Sequence, residues 1–291
     1  HGVTDSFADL VTIGTVADVM PLIKENRELV RRGVQLIADS DRMGIQSLIE
    51  AAGLSERRMT STTVAFGICP RINAAGRMGS ADRAIRLLLS EDYEEANALA
   101  QEINDENATR QQTEQEILNQ AVAQIKNNPN WIYQNVLVVA GEGWHDGVVG
   151  IVASRLVEKY GKPTLVITVD GDDAKGSGRS IDGFNLYDAL SHCGECLTHF
   201  GGHMLAAGIG LKTENIGTFR KAINEYADSF EMPFPIQTVD FKLNPAYVNV
   251  EMLSAIEQLE PFGAGNPQPV FGLYNMTITD IQPIGNGKHL R

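Results

Sequence analysis

Cysteine is scarce. Only Cys69, Cys193 and Cys196 occur among 291 residues. That is too few for a disulfide scaffold in a chain this size and points to a reducing, cytoplasmic compartment. No run of 18 or more uninterrupted apolar residues occurs, so no membrane span is expected. The opening HGVTDSFADL carries acids and lacks the basic start and apolar core of a secretory leader; from His1 on it reads like the interior of a domain. Positive charge is in deficit, with 24 basic against 37 acidic residues and a net charge of −13. Such a chain repels nucleic acid overall, so any anion must be held by a local cluster. Repeats and low-complexity tracts are also missing. What is present is 43% hydrophobic and 21% charged, the balance of a folding chain. Its length suits about two domains.

One basic cluster stands out. Between residues 57 and 86 lie Arg57, Arg58, Arg71, Arg77, Arg83 and Arg86 against the single acid Asp82, a local balance of +5. The stretch 91–116 then holds nine acids and one arginine. Charge alone does not separate a binding face from a solvated one.

Residues 6–52 have helical apolar spacing, punctuated by Pro21 and Gly33. The longest element is a helix over 91–126, opened by Ser90 with Glu91 and Asp92. It would span on the order of 50 Å. Its ends are apolar and its middle, NDENATRQQTEQE, is polar, the pattern of a bridge between two cores. From 130 to 234 strands alternate with helices, which indicates an α/β domain. There NVLVVAGEG and PTLVITVD read as buried strands and NLYDALSHCGECLTHFGG as one helix. Residues 236–291 read as a strand, a helix, the turn-rich PFGAGNPQP, and further strands.

Several motifs carry chemistry. Asp18 sits among apolar residues in GTVADVMPL, where a carboxylate is costly to bury unless it is paired or bound to a metal. PRINAAGRMG joins Arg71, Asn73 and Arg77 to small residues that let a ligand approach. AKGSGRS places Ser177, Gly178 and Arg179 together as an anion nest without the Walker spacing. FGGH adds Gly201, Gly202 and His203 in the same domain, and two such segments suit one phosphate pocket. In GEGWHDGVVG, His145 and Asp146 stand at a helix start, and Trp144 is either core or a stacking platform. HCGECLTH holds four zinc-capable residues, His192, Cys193, Cys196 and His199, but on one expected helix they do not surround an ion.

The strings GTVADVMPL, PRINAAGRM, GWHDGVVGIVASRLVEKYGKP, GSGRSIDGFNLYDAL, FGGHMLAAG and PFGAGNPQPVF, in this order, resemble the RecJ family. These are single-strand-specific DNA exonucleases of the DHH phosphoesterase superfamily. The resemblance covers nearly the whole chain. It implies the helical end of a DHH domain over 1–88, a connecting helix over 89–129, a DHH-associated α/β domain with a mixed sheet over 130–234, and part of an OB-fold over 235–291. It further implies a 5′-to-3′ exonuclease that uses Mn²⁺ or Mg²⁺ on single-stranded DNA in repair and recombination, with a single-strand-binding protein and a helicase as further partners. The family's Asp-x-Asp and Asp-His-His motifs lie upstream of the matched stretch. Of the metal ligands only Asp18 is matched, and one aspartate cannot hold two ions. The resemblance therefore implies a fragment that is not catalytic by itself. It assigns Ser177, Gly178, Arg179, Gly201, Gly202 and His203 to the grip on a 5′ phosphate. Arg71, Asn73, Arg77, Arg110 and Gln111 become backbone contacts, with Trp144 and His145 as further candidates. A DHH-type nanoRNase or oligonucleotide phosphatase, and a non-catalytic single-strand-binding module, remain alternatives.

Overall fold

The computed structural model describes residues 6–234, 236–285 and 289–291. The reading of the first five residues as domain interior lies outside that range. The chain divides into two compact units, one of residues 1–39, 58–66 and 236–291, the other of residues 40–57 and 67–235.

In the first unit, helices α1 (Ala8–Ala17) and α2 (Lys24–Ala38) pack closely. Gly33 permits this, since a Cβ there would lie 2.0 Å from Thr12 Oγ1 and 2.2 Å from the Ala8 carbonyl. The segment 257–266 docks beside the start of α2. The Leu22 amide donates to the Ala264 carbonyl at 2.6 Å, Arg27 to that of Leu259 at 2.8 Å, and Ser61 Oγ to that of Phe262 at 2.7 Å. PFGAGNPQP is thus a docking turn.

The second unit opens with α3 (Met43–Ala51), α4 (Cys69–Met78) and α5 (Asp82–Leu89), all packed on the long α6 (Tyr93–Asn127). Asp92, two residues beyond Ser90, caps α6 by accepting the Glu95 amide at 2.8 Å. The two ends of α6 bury different stripes. Ala96, Leu99, Ala100 and Ile103 lie among the helices, while Ile117, Ala121 and Ile125 join the sheet. The middle is not bare, because Asn107 and Arg110 are buried there.

A five-stranded mixed sheet follows, built from β1 (Leu137–Glu142), β2 (Thr164–Asp170), β3 (Asp173–Arg179), β4 (His199–His203) and β5 (Ala206–Lys212). Its order is β1-β2-β3-β5-β4, parallel only between β1 and β2. Helix α7 (Asp146–Tyr160) joins β1 to β2, and with α6 it covers one face over Val139 and Val166. Helices α8 (Leu186–His192) and α9 (Ile216–Ala227) cover the other, over Val138, Leu165, Ile167 and Ile209. The helix expected through FGG stops at His192; the FGGH residues form β4 instead.

Within 236–291, again in the first unit, β6 (Phe241–Lys242) pairs with β7 (Phe271–Gly272), α10 (Val250–Glu257) lies between them, and β8 (Pro283–Ile284) pairs with β9 (His289–Leu290). The expected strand run through TITDI forms no ladder.

Candidate anion and nucleic-acid site

Strand register decides which side chains meet. On β3, Lys175, Ser177 and Arg179 point to the α7 face, and Gly176 and Gly178 to the α8–α9 face. The two glycines serve packing: a Cβ at Gly178 would lie 2.8 Å from Leu186 Cδ2, and one at Gly176 would lie 2.9 Å from Ile167 Cγ1. This corrects the anion nest. GSGRS is a central strand paired on both sides, so its amides serve the ladders rather than an anion. The donors here are side chains.

Arg179 is half-buried. Its Nη1 donates to Ser177 Oγ at 3.0 Å and to the Gly178 carbonyl at 2.8 Å. Burial first, and the nearby Arg77 second, lower its pKa, so a negative partner would be favoured there. Helix α7 makes room for both arginines through Gly147 and Gly150, one turn apart on one face. A Cβ at Gly150 would meet Ser177 Oγ at 3.0 Å and Arg179 Nη2 at 3.1 Å; one at Gly147 would lie 2.6 Å from the Arg77 carbonyl. Arg77 in turn donates to the Gly147 carbonyl at 3.1 Å. Two guanidinium groups thereby gather near the N-terminal turn of α7, whose dipole also favours an anion.

His145 caps that turn, its Nδ1 accepting the Gly147 amide at 3.1 Å. In the β4–β5 hairpin, His203 Nδ1 accepts the Leu205 amide at 3.3 Å. Each neutral imidazole then carries its proton on Nε2, as a donor free for a ligand. Gly202 is glycine for a backbone reason: its φ is 148°, and a Cβ would lie 2.3 Å from the Ala206 carbonyl.

Other expected contacts lie elsewhere. Arg110 is turned inward, donating to Glu114 at 2.7 Å and to Asn107 at 3.1 Å. It is not offered to a groove, whereas Gln111 and Asn73 are exposed. Arg71 is half-buried and bonds the Gly67 carbonyl and Asn104 Oδ1, tying α4 to α6. Trp144 is core, with its Nε1 donating to Gln120 at 2.8 Å and its ring against Gly141. Sequence reasoning passed over the Gly147–Gly150 pair, although the spacing in DGVVG was its signal.

Metal ligands do not converge. Asp18 caps the C-terminus of α1 and is exposed. Two Asp-x-Asp strings do occur, Asp39–Asp41 and Asp170–Asp172. Yet among the described residues no group of three or more His, Cys, Asp or Glu side chains is placed to hold an ion. That holds for HCGECLTH too, where His192 ends α8 and His199 begins β4. The described residues therefore do not by themselves fit a two-metal centre. Burial instead pushes the Cys69 thiol up to about 12, and burial with Cys196 nearby pushes Cys193 up to about 11. At pH 8 little thiolate exists at either. With Ellman's reagent we expect one fast thiol in the native protein, the half-exposed Cys196, and three after denaturation. Three fast native thiols would contradict this burial.

Residues 128–229 match the DHHA1 domain and residues 239–291 the RecJ OB domain. The chain is 40% identical over 289 residues to the single-stranded-DNA-specific exonuclease RecJ of Bacillus subtilis, covering 98% of this chain and 36% of that protein. The crystal structure of Thermus thermophilus RecJ in complex with Mn²⁺ superposes with a TM-score of 0.87 at 35% identity, over 98% of this chain and 42% of that one. The same protein with Mg²⁺ gives 0.84 at 33% identity, over 98% and 44%. The chain thus spans less than half the length of these relatives. Among the described residues no helix is long and apolar enough to cross a membrane.

Proposed function

Because this chain belongs to the RecJ family, we propose that it carries the end-recognition part of a metal-dependent exonuclease acting 5′ to 3′ on single-stranded DNA in repair and recombination. The observation that supports this most is the meeting of Arg77, Arg179 and Ser177 at the α7 N-terminus, with His145 capping the same turn. Two guanidinium groups, a hydroxyl and imidazole donors suit a terminal phosphate dianion. His203, on the β4–β5 hairpin, adds a further donor from the same domain. Nothing in the set reads base edges, so binding is independent of sequence. A Mn²⁺ or Mg²⁺ centre would draw on Asp18 for one carboxylate and would need further ligands that the described residues do not bring together. Such ions, if held there, would supply an activated water and charge stabilisation at the leaving oxygen. The chain alone then binds single strands without cutting them. Three cysteines that form no disulfide and an enzyme acting on DNA suit the cytoplasm, with a single-strand-binding protein and a helicase supplying the substrate.

Fluorescence anisotropy with 5′-phosphorylated single strands tests the reading. Affinity is expected to rise with strand length and to fall steeply with salt as counterions are released. A mononucleotide bound as tightly as a long strand would favour a small-nucleotide phosphatase instead.

A further inference from the structure

We infer that the cleft beside Ser177 and Arg179 is the seat of the 5′-terminal nucleoside, holding its sugar and base once the phosphate is gripped. This rests on the phosphate reading above. The cleft has a volume of about 490 Å³, within the usual range for small-ligand sites. Three strands build it. Ser177 stands opposite Gly208, which stands opposite Gly201; Lys175 stands opposite Gly210, which stands opposite His199. Opposed residues share a face of the sheet, so all of these lie on the face that carries Arg179. Toward β1 and β2 that face is covered by α7, whose Val149 forms one wall.

The floor is backbone. A Cβ at Gly201 would meet nothing within 4 Å, and one at Gly208 only the Gly176 carbonyl at 4.0 Å. Neither glycine has the positive φ that would demand its identity. What the missing side chains secure is open space in which a flat group can lie on the peptide planes. His199 supplies a platform. A Cβ at Gly210 would lie 2.1–2.8 Å from three of its ring atoms, so the imidazole rests over that glycine. Its outer face is left to the cleft, which it lines. The polar rim is Lys175 and Asp146, 3.8 Å apart and both largely exposed. An apolar slot with an aromatic ring beside an anion grip fits a nucleobase attached to a bound phosphate. Stacking of this kind does not distinguish bases, because every base has a π-face.

The test is an anisotropy titration of the 291-residue chain with three single strands: one with a 5′ phosphate, one with the same phosphate on an abasic terminal residue, and one without the phosphate. Wild type is expected to bind the first roughly tenfold more tightly than the second. His199→Ala and Gly208→Val are expected to bind these two strands equally, near the abasic level. Thermal melts check that each variant is folded; should valine at 208 unfold the sheet, His199→Ala decides alone. No difference between base and abasic ends in wild type, or a full difference in the folded variants, overturns the inference. A lost phosphate effect with a persisting base effect overturns the phosphate reading and leaves the cleft as a base site. A phosphate effect without a base effect does the reverse. Absence of binding to all three overturns both.

Discussion

Arg179→Ala is expected to weaken binding of 5′-phosphorylated single-stranded DNA roughly ten- to hundredfold, and to erase the preference for the phosphate. Charged hydrogen bonds contribute about 1.5–3 kcal/mol each, and tenfold in affinity corresponds to about 1.4 kcal/mol. Arg179 is held before the ligand arrives by Ser177 Oγ and the Gly178 carbonyl, and Gly150 leaves room for its guanidinium. Little rotamer freedom is then lost on binding, which is why the expected effect is large. Arg179→Lys should not restore the loss, because an ammonium cannot make the same planar fork. The comparison that decides is the strand without a phosphate. Its affinity should change little in Arg179→Ala, and an equal loss on both strands would make Arg179 a general backbone contact.

This site was only partly legible in the sequence. Ser177, Arg179, Arg77 and His145 could be singled out because small residues flank charged or hydrogen-bonding ones, and that pattern survives folding. How they meet could not be read. The period of two in AKGSGRS was available, but its glycines suggested an anion nest, whereas sheet packing against Leu165, Leu186 and Ile167 explains them better. The α/β alternation and the long helix were plain, since buried strands and uninterrupted helices leave local signals. The end of α8 was not, because HCGEC contains no proline and continues an apolar rhythm past His192. Which charges face inward was also hidden. Arg71 and Arg77 lie six residues apart with similar neighbours, yet one ties two helices together and the other reaches the α7 terminus.

Arg110 shows that limit most clearly, and it supports the largest stability effect we expect. The polar middle of α6 suggested a bridge between two cores, and the family resemblance implied Arg110 as a DNA backbone contact. Instead the Arg110 and Glu114 side chains are only 9% and 12% exposed, and Asn107 is buried beside them. Glu114 also accepts from Arg155 on α7 at 3.1 Å, so one carboxylate ties the two helices. Removing one member leaves a buried charge without its partner, which costs about 3–5 kcal/mol. Glu114→Ala and Arg110→Ala should therefore each lower stability by about that amount in urea denaturation. Replacing the group with apolar residues, in Asn107→Leu with Arg110→Met and Glu114→Leu, should recover most of the loss, because no unpaired buried charge remains and Arg155 is half in solvent. A single variant as stable as wild type would mean that water reaches Arg110. If Arg110 touched DNA, Arg110→Ala would also weaken binding in the fraction that stays folded. The inward geometry predicts that strand affinity per folded molecule is unchanged, and anisotropy under strongly native conditions measures it.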